Sequence, residues 1–263
     1  MSTLRPTLLA LPLLVGCKAP PEAPAQLEEL CTYLFQHAYD EDPEALLVGL
    51  DNLDGWLAKG DNLASTIEGY QINNLSEEAV DGLDGEDRTV GETLVGAALL
   101  SEHPHAQRAV VRATVADDWG KVAEENYDIY DRTFNRDPGC FPGRECLRLR
   151  GSSYAESKFA GIINVTTRNK IQVRWVETER GWVMLHRSWL TEPAEVSIDS
   201  VEVNAQYFLA VVMDDGRATR RLQANWIDTD YGALPVSEDF AKQQVVESMR
   251  EQGEMINEWL AED

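Results

Sequence analysis

From about Ala25 to Phe134 the apolar residues recur at three- and four-residue steps, and from about Ser157 they recur at every second position. The first pattern predicts helices and the second an antiparallel sheet. Leu27, Leu30, Leu34 and Ala38 make one helical stripe, with Cys31 and Phe35 beside it. Asp42-Pro43-Glu44 restarts a helix, with Asp42 as N-cap and Pro43 at its first position. Its apolar face uses Leu46, Leu47, Leu50, Leu53 and Leu57. Ser76 caps a further helix, although position 79 is Ala where a full capping box carries Glu. Asp87–Leu100, interrupted by Gly91 and Gly96, a segment after Pro104, and Asp117–Phe134 complete the expected helices.

Strands are expected near 157–167, 170–177, 181–190, 200–213 and 217–228. The connections Arg168-Asn169, Glu179-Arg180-Gly181 and Asp215-Gly216 are short, which predicts hairpins in a meander. A two-residue Asp215-Gly216 turn sets Met213 opposite Ala218, Leu209 opposite Leu222, Tyr207 opposite Ala224 and Ala205 opposite Trp226. The other phase pairs Val212 with Thr219, Ala210 with Arg221, Phe208 with Gln223 and Gln206 with Asn225. One face is therefore apolar and the other mixed, and a one-residue slip would scramble both. Pro235 ends the sheet region, and Ser237 caps a last helix whose apolar face carries Ala241, Val245, Met249, Ile256 and Trp259, flanked by Phe240 and Leu260. The expected fold is α+β: a helical region over 26–140, then a five-stranded antiparallel meander with the C-terminal helix packed on the sheet over 141–263.

Charge narrows the partners. The 263 residues carry 23 basic and 46 acidic side chains, a net of −23. The imbalance is uneven: residues 17–140 hold 8 basic against 26 acidic, residues 141–263 hold 14 against 20. Such a chain repels phosphate backbones, so nucleic acid is not an expected partner.

Candidate chemistry is sparse. Cys140-Phe-Pro-Gly-Arg-Glu-Cys146 brackets a turn-prone loop that a disulfide can close; pairing of Cys31 with Cys140 or Cys146 is the rival. With Cys140 and Cys146 joined, Cys31 is a buried small apolar residue of its helix. No zinc spacing is present. His103 and His105 flank Pro104 without a third ligand and read as exposed loop histidines. Asp51-Asn52-Leu53-Asp54-Gly55 and Asp81–Asp87 lack the ligand spacing of a calcium loop. No metal, no cofactor and no catalytic residue is assigned. His186 and Ser188 share a strand face about 7 Å apart, beyond hydrogen-bond reach. Trp175, Trp182, Trp189 and Trp226 lie on expected strands and read as core, or else as the lining of an apolar pocket. Gln172, Arg174, Asn204, Gln206, Arg221, Gln223 and Asn225 are denser in polarity than a buried sheet tolerates. Within that set Arg174, Gln206, Arg221, Gln223 and Asn225 form the candidate ligand face, the alternative being plain solvent exposure.

The N-terminus has its own character. Arg5, an apolar run from Leu8 to Val15 broken by Pro12, and then Leu14-Val15-Gly16-Cys17 resemble the signal and lipobox of bacterial lipoprotein precursors. The run is about half of the roughly 20 residues a spanning helix needs. The resemblance covers residues 1–18. It implies cleavage before Cys17, acyl chains such as palmitate on that sulfur, and a membrane anchor. Residues 1–16 are then the signal segment, and 17–25 a lipidated, Pro-rich tether in extended polyproline form. Lys18 is not the Asp that retains enteric lipoproteins at the inner membrane, which favours the outer one.

Together these features describe a lipid-anchored cell-envelope protein whose body binds a lipid, a glycan or an envelope protein. Two alternatives stand beside it. One is an envelope hydrolase, which requires His186 beside an acid such as Asp228 or Asp230. The other is a structural subunit of an envelope assembly, marked by a large exposed apolar patch.

Overall fold

The computed structural model describes residues 21–84, 94–123, 127–159, 163–198, 200–232 and 237–262. Its helices are α1 (Leu27–His37), α2 (Glu44–Leu57), α3 (Gly60–Glu68), α4 (Glu77–Val80), α5 (Gln107–Thr114), α6 (Trp119–Val122) and α7 (Glu238–Glu262). Its strands are β1 (Tyr70–Gln71), β2 (Val95–His103), β3 (Tyr127–Phe134), β4 (Arg148–Phe159), β5 (Ile163–Thr178), β6 (Gly181–Leu190), β7 (Glu195–Val196), β8 (Glu202–Asp214) and β9 (Thr219–Asp230).

All nine strands join one antiparallel sheet in the order β1-β2-β9-β8-β6-β5-β4-β3, with β7 paired to one end of β5. The five-stranded meander is therefore corrected. Strands β1, β2 and β3 arise from the region expected to be helical and pair within the same sheet. Ala97, Ala98, Leu99 and Leu100 of β2 are all buried, so both faces of this strand are covered and no alternation marks it. The second correction concerns β5, which runs unbroken through Arg168-Asn169. Arg168 there pairs with Glu192 and Glu195 at 2.9 and 2.8 Å, so its polarity serves a surface ion network and not a turn. The third is the β8–β9 register. Met213 pairs with Arg220 and Leu209 with Ala224, a slide of two residues. The carboxylate of Asp215 accepts from the amides of Arg217 and Ala218, both at 2.8 Å, and so builds a four-residue loop. Because the slide is even, every side chain keeps its expected face.

Ser76 and Ser237 cap as expected, whereas α2 begins one residue later than expected, with Pro43 at the N-cap and Asp42 before it. Asp42 accepts from the Glu44 amide at 3.0 Å, Ser76 from Ala79 at 3.2 Å and Ser237 from Phe240 at 3.2 Å. Both sheet faces are covered. On one, Leu27, Leu30, Leu34 and Phe35 of α1 and Leu46, Leu50 and Leu53 of α2 pack on Tyr207, Leu209, Leu222 and Trp226. Phe35 sets its ring edge-on to Tyr207 and Trp226 at 5.9 and 5.7 Å. Trp226 is fully buried and donates to the Asn73 carbonyl at 2.8 Å. Its apolar burial alone contributes on the order of 5 kcal/mol. A Cβ on Gly96, its β2 partner, would sit 2.8 Å from the indole, so the glycine makes room for the ring.

On the other face lie α5, α6 and α7. Val110, Val111, Trp119, Phe141, Trp175 and Ile256 form one apolar cluster there. Ala97 and Leu99 with Val245 and Met249 form a second, smaller one. Cys140 and Cys146 are joined in a disulfide beside the first cluster, and Cys31 is free and buried in α1. No described helix is long and apolar enough to cross a membrane.

Candidate ligand cavity

Between the two clusters of the α7 face the sheet and helix do not meet, and a cavity of about 510 Å³ remains. That size suits a small ligand. Strand alternation directs every second residue of β5, β6, β8 and β9 into it. Its apolar wall includes Val165, Ile171, Phe208, Ile227 and Met249. Its polar wall includes Arg132, His186, Gln206, Arg221 and Asn225 from the strands. Helix α7 adds Gln244, Ser248 and Gln252, one helical turn apart.

Arg221 is the deepest charge in this wall, at 1% exposure. Its Nη2 donates to Gln252 Oε1 at 3.0 Å, while Nε and Nη1 have no protein partner. Its guanidinium carbon lies 5.8 Å from the Phe208 ring centre. Burial lowers its proton affinity from 12.5 to about 9. His186 contacts the same ring, centroids 5.4 Å apart, and neither of its nitrogens has a protein partner. Burial, then the nearby charges of Arg132 and Arg221, hold it well below its ordinary pKa, so it is neutral. Arg132 is anchored on the Thr114 carbonyl at 2.8 Å and on the Tyr130 hydroxyl at 2.6 Å.

The candidate ligand face divides. Gln206, Arg221 and Asn225 line the cavity. Gln206 donates to Asn225 Oδ1 at 3.4 Å. Gln223 points to the same face, buried beneath Gln252, to which it donates at 3.2 Å. Arg174 is on the opposite face, donating to the Asp40 carbonyl at 2.7 Å beside α1. Trp175, Trp189 and Trp226 are core. His103 is buried, not exposed, and meets Asn257 Oδ1 at 2.7 Å through Nδ1. Asp228 belongs to the face opposite His186, pairing with Ala205, and Asp230 accepts from the Gly232 amide at 2.7 Å. Neither acid is brought to His186. Among the described residues no cluster of metal-ligating side chains is present. Cys17 lies outside the described residues.

Arg132, Phe208 and Gln252 were not anticipated from the sequence. Gln244, Ser248 and Gln252 form a polar stripe at four-residue spacing beside the apolar Val245 and Met249, and that stripe was the available signal.

No family model and no curated protein matches the chain. Among solved structures it is similar to a STAR-related lipid transfer protein from Xanthomonas axonopodis, at 10% identity over 66% of this chain and 97% of that one, TM-score 0.43. It is similar to a START superfamily protein from Mycobacterium smegmatis, at 9% identity over 64% and 97%, TM-score 0.40. A third likeness is to Ara h 8.0201, at 9% identity over 65% and 99%, TM-score 0.38. The cavity, and not these likenesses, carries the functional conclusion.

Proposed function

We propose that this protein binds a small, largely apolar molecule between its sheet and α7. The observation that carries this is one cavity of about 510 Å³ whose wall combines aliphatic side chains with buried polar groups. The test uses an uncharged fluorescent probe, N-phenylnaphthylamine. It should bind with near-equimolar stoichiometry. Ala155→Trp, which enlarges a buried lining residue, should abolish binding in a protein that still unfolds cooperatively. An absence of probe binding to the wild-type chain overturns the proposal.

The same reading includes a membrane anchor at Cys17, supported by the Leu14-Val15-Gly16-Cys17 motif. Asn52 of α2 donates to the carbonyls of Ala23 and Pro24 at 2.8 and 3.0 Å, so the tether ends on the body. From Cys17 to Ala23 an extended chain reaches about 20 Å. A lipid on Cys17 therefore keeps the body close to a bilayer surface, the outer membrane in our proposal. Metabolic labelling with a fatty acid tests it. Cys17→Ser should lose the label and enter the soluble fraction; a variant that keeps the label refutes the anchor.

A further inference from the structure

We propose that the ligand of this cavity is an amphiphilic anion, its carboxylate or phosphate oxygens seated on Arg221 and its apolar body lying along Val165, Ile171 and Ile227. The inference rests on the cavity being a binding site and adds the charge of what it holds. Arg221 combines three features seen nowhere else among the described cavity residues. It is 1% exposed, it leaves Nε and Nη1 without a protein partner, and it shares no ion pair with a described carboxylate. The acidic residues of the cavity wall, Glu247 and Glu251, are exposed on α7, and Glu247 is already engaged by Arg250 at 2.6 Å. Among the described residues the one fully buried charge facing the ligand space is thus positive, in a chain of net charge −23.

A guanidinium presents its N–H groups as a planar fork that matches two oxygens of one carboxylate or phosphate. Beside the same Phe208 ring, neutral His186 carries one N–H and one bare nitrogen, neither engaged by the protein. It can donate to the same acid group without adding a second buried charge. An uncharged polar head would leave the guanidinium unneutralised. A cationic head would meet Arg221 and Arg132 together. The gradient from this cluster to the aliphatic wall fixes the polarity of the ligand, its acid group at Arg221 and its apolar body along Val165, Ile171 and Ile227.

The test displaces N-phenylnaphthylamine with dodecanoate, dodecyl phosphate and dodecanol, which share one apolar body. At least one of the two anions should bind about tenfold or more tightly than the alcohol. Which anion is preferred tells a carboxylate source from a phosphate source. Arg221→Met should remove that preference, and Arg221→Lys should restore part of it. Equal affinity for acid and alcohol, or a preference that survives Arg221→Met, overturns the inference and leaves the binding cavity standing. Failure of all three to displace the probe, with no probe bound, overturns both.

Discussion

Replacing Arg221 by Met is expected to make the protein more stable. The guanidinium is buried with Nε and Nη1 lacking protein partners, and Gln252 receives its one protein hydrogen bond. Burial lowers its proton affinity from 12.5 to about 9. At about 1.36 kcal/mol per pH unit, that gap is on the order of 5 kcal/mol against the folded state. The sign follows from linkage. The folded chain holds this proton less tightly than the unfolded chain, so the cost is complete below about pH 9 and fades only at higher pH. Water reaching the cavity and local relaxation reduce the figure. Loss of the bond to Gln252 subtracts about 1 kcal/mol more. Met fills most of the same space and needs no partner, so the net gain should be about 2 kcal/mol. For a chain of this size that raises Tm by roughly 4–8 °C. Paired thermal and urea unfolding at pH 7 reads it. A Tm equal to or below wild type refutes the claim that the fold carries this cation at a cost. Combined with lost anion preference, the gain separates a binding role from a structural one.

Gly96→Ala should destabilise by about 1–3 kcal/mol in urea unfolding, because its Cβ would lie 2.8 Å from Trp226 Cδ1 and 3.0 Å from Ile72 Cγ1. Gly55→Ala in α2, which meets nothing within 4 Å, should instead stabilise by about 0.5–1 kcal/mol. Burial, with Arg221 nearby, lowers His103 from 6.5 to about 4, so the unfolded chain binds this proton more tightly. Stability should fall as pH drops from about 6.5 towards 4, by on the order of 1 kcal/mol from His103 at pH 5.5, and His103→Gln should flatten that slope in urea midpoints. Removing the Cys140–Cys146 disulfide as the double Ser variant should lower stability by about 2 kcal/mol, read as a Tm difference that reducing agent abolishes.

The helices whose apolar stripes and caps agree were legible. Ser76 and Ser237 accept the hydrogen bonds their positions imply, and Asp42 accepts from the Glu44 amide one residue ahead of the Pro43 cap. Strand β2 was illegible because the sheet is covered on both sides there, and a strand buried on both faces loses its alternation. Gly96 in that segment read as a helix weakener, whereas its small size admits the Trp226 indole. Strand β5 was cut in two because its polar residues face the cavity or the Arg168 ion network, neither of which demands apolar side chains. Hairpin β8–β9 kept its faces though not its partners, since the Asp215 loop moves the register by an even step. The same excess of polarity that marked Gln206, Arg221 and Asn225 brings them to one cavity. Arg174 drew the same attention for another reason: it holds the Asp40 carbonyl beneath α1. Arg132 and Gln252 join the site from distant elements, through pairings that local pattern does not encode.

The pairing of β2 with β9 joins Val95–His103 to residues 219–227, more than a hundred positions later. The run from β4 to β9 zips through neighbouring hairpins and can form early. Strand β2 must then wait for the last strand before its ladder to β9 can form. Assembly is therefore gated by one long-range closure, slow by topology alone. Until β9 has emerged, an elongating polypeptide cannot complete this sheet.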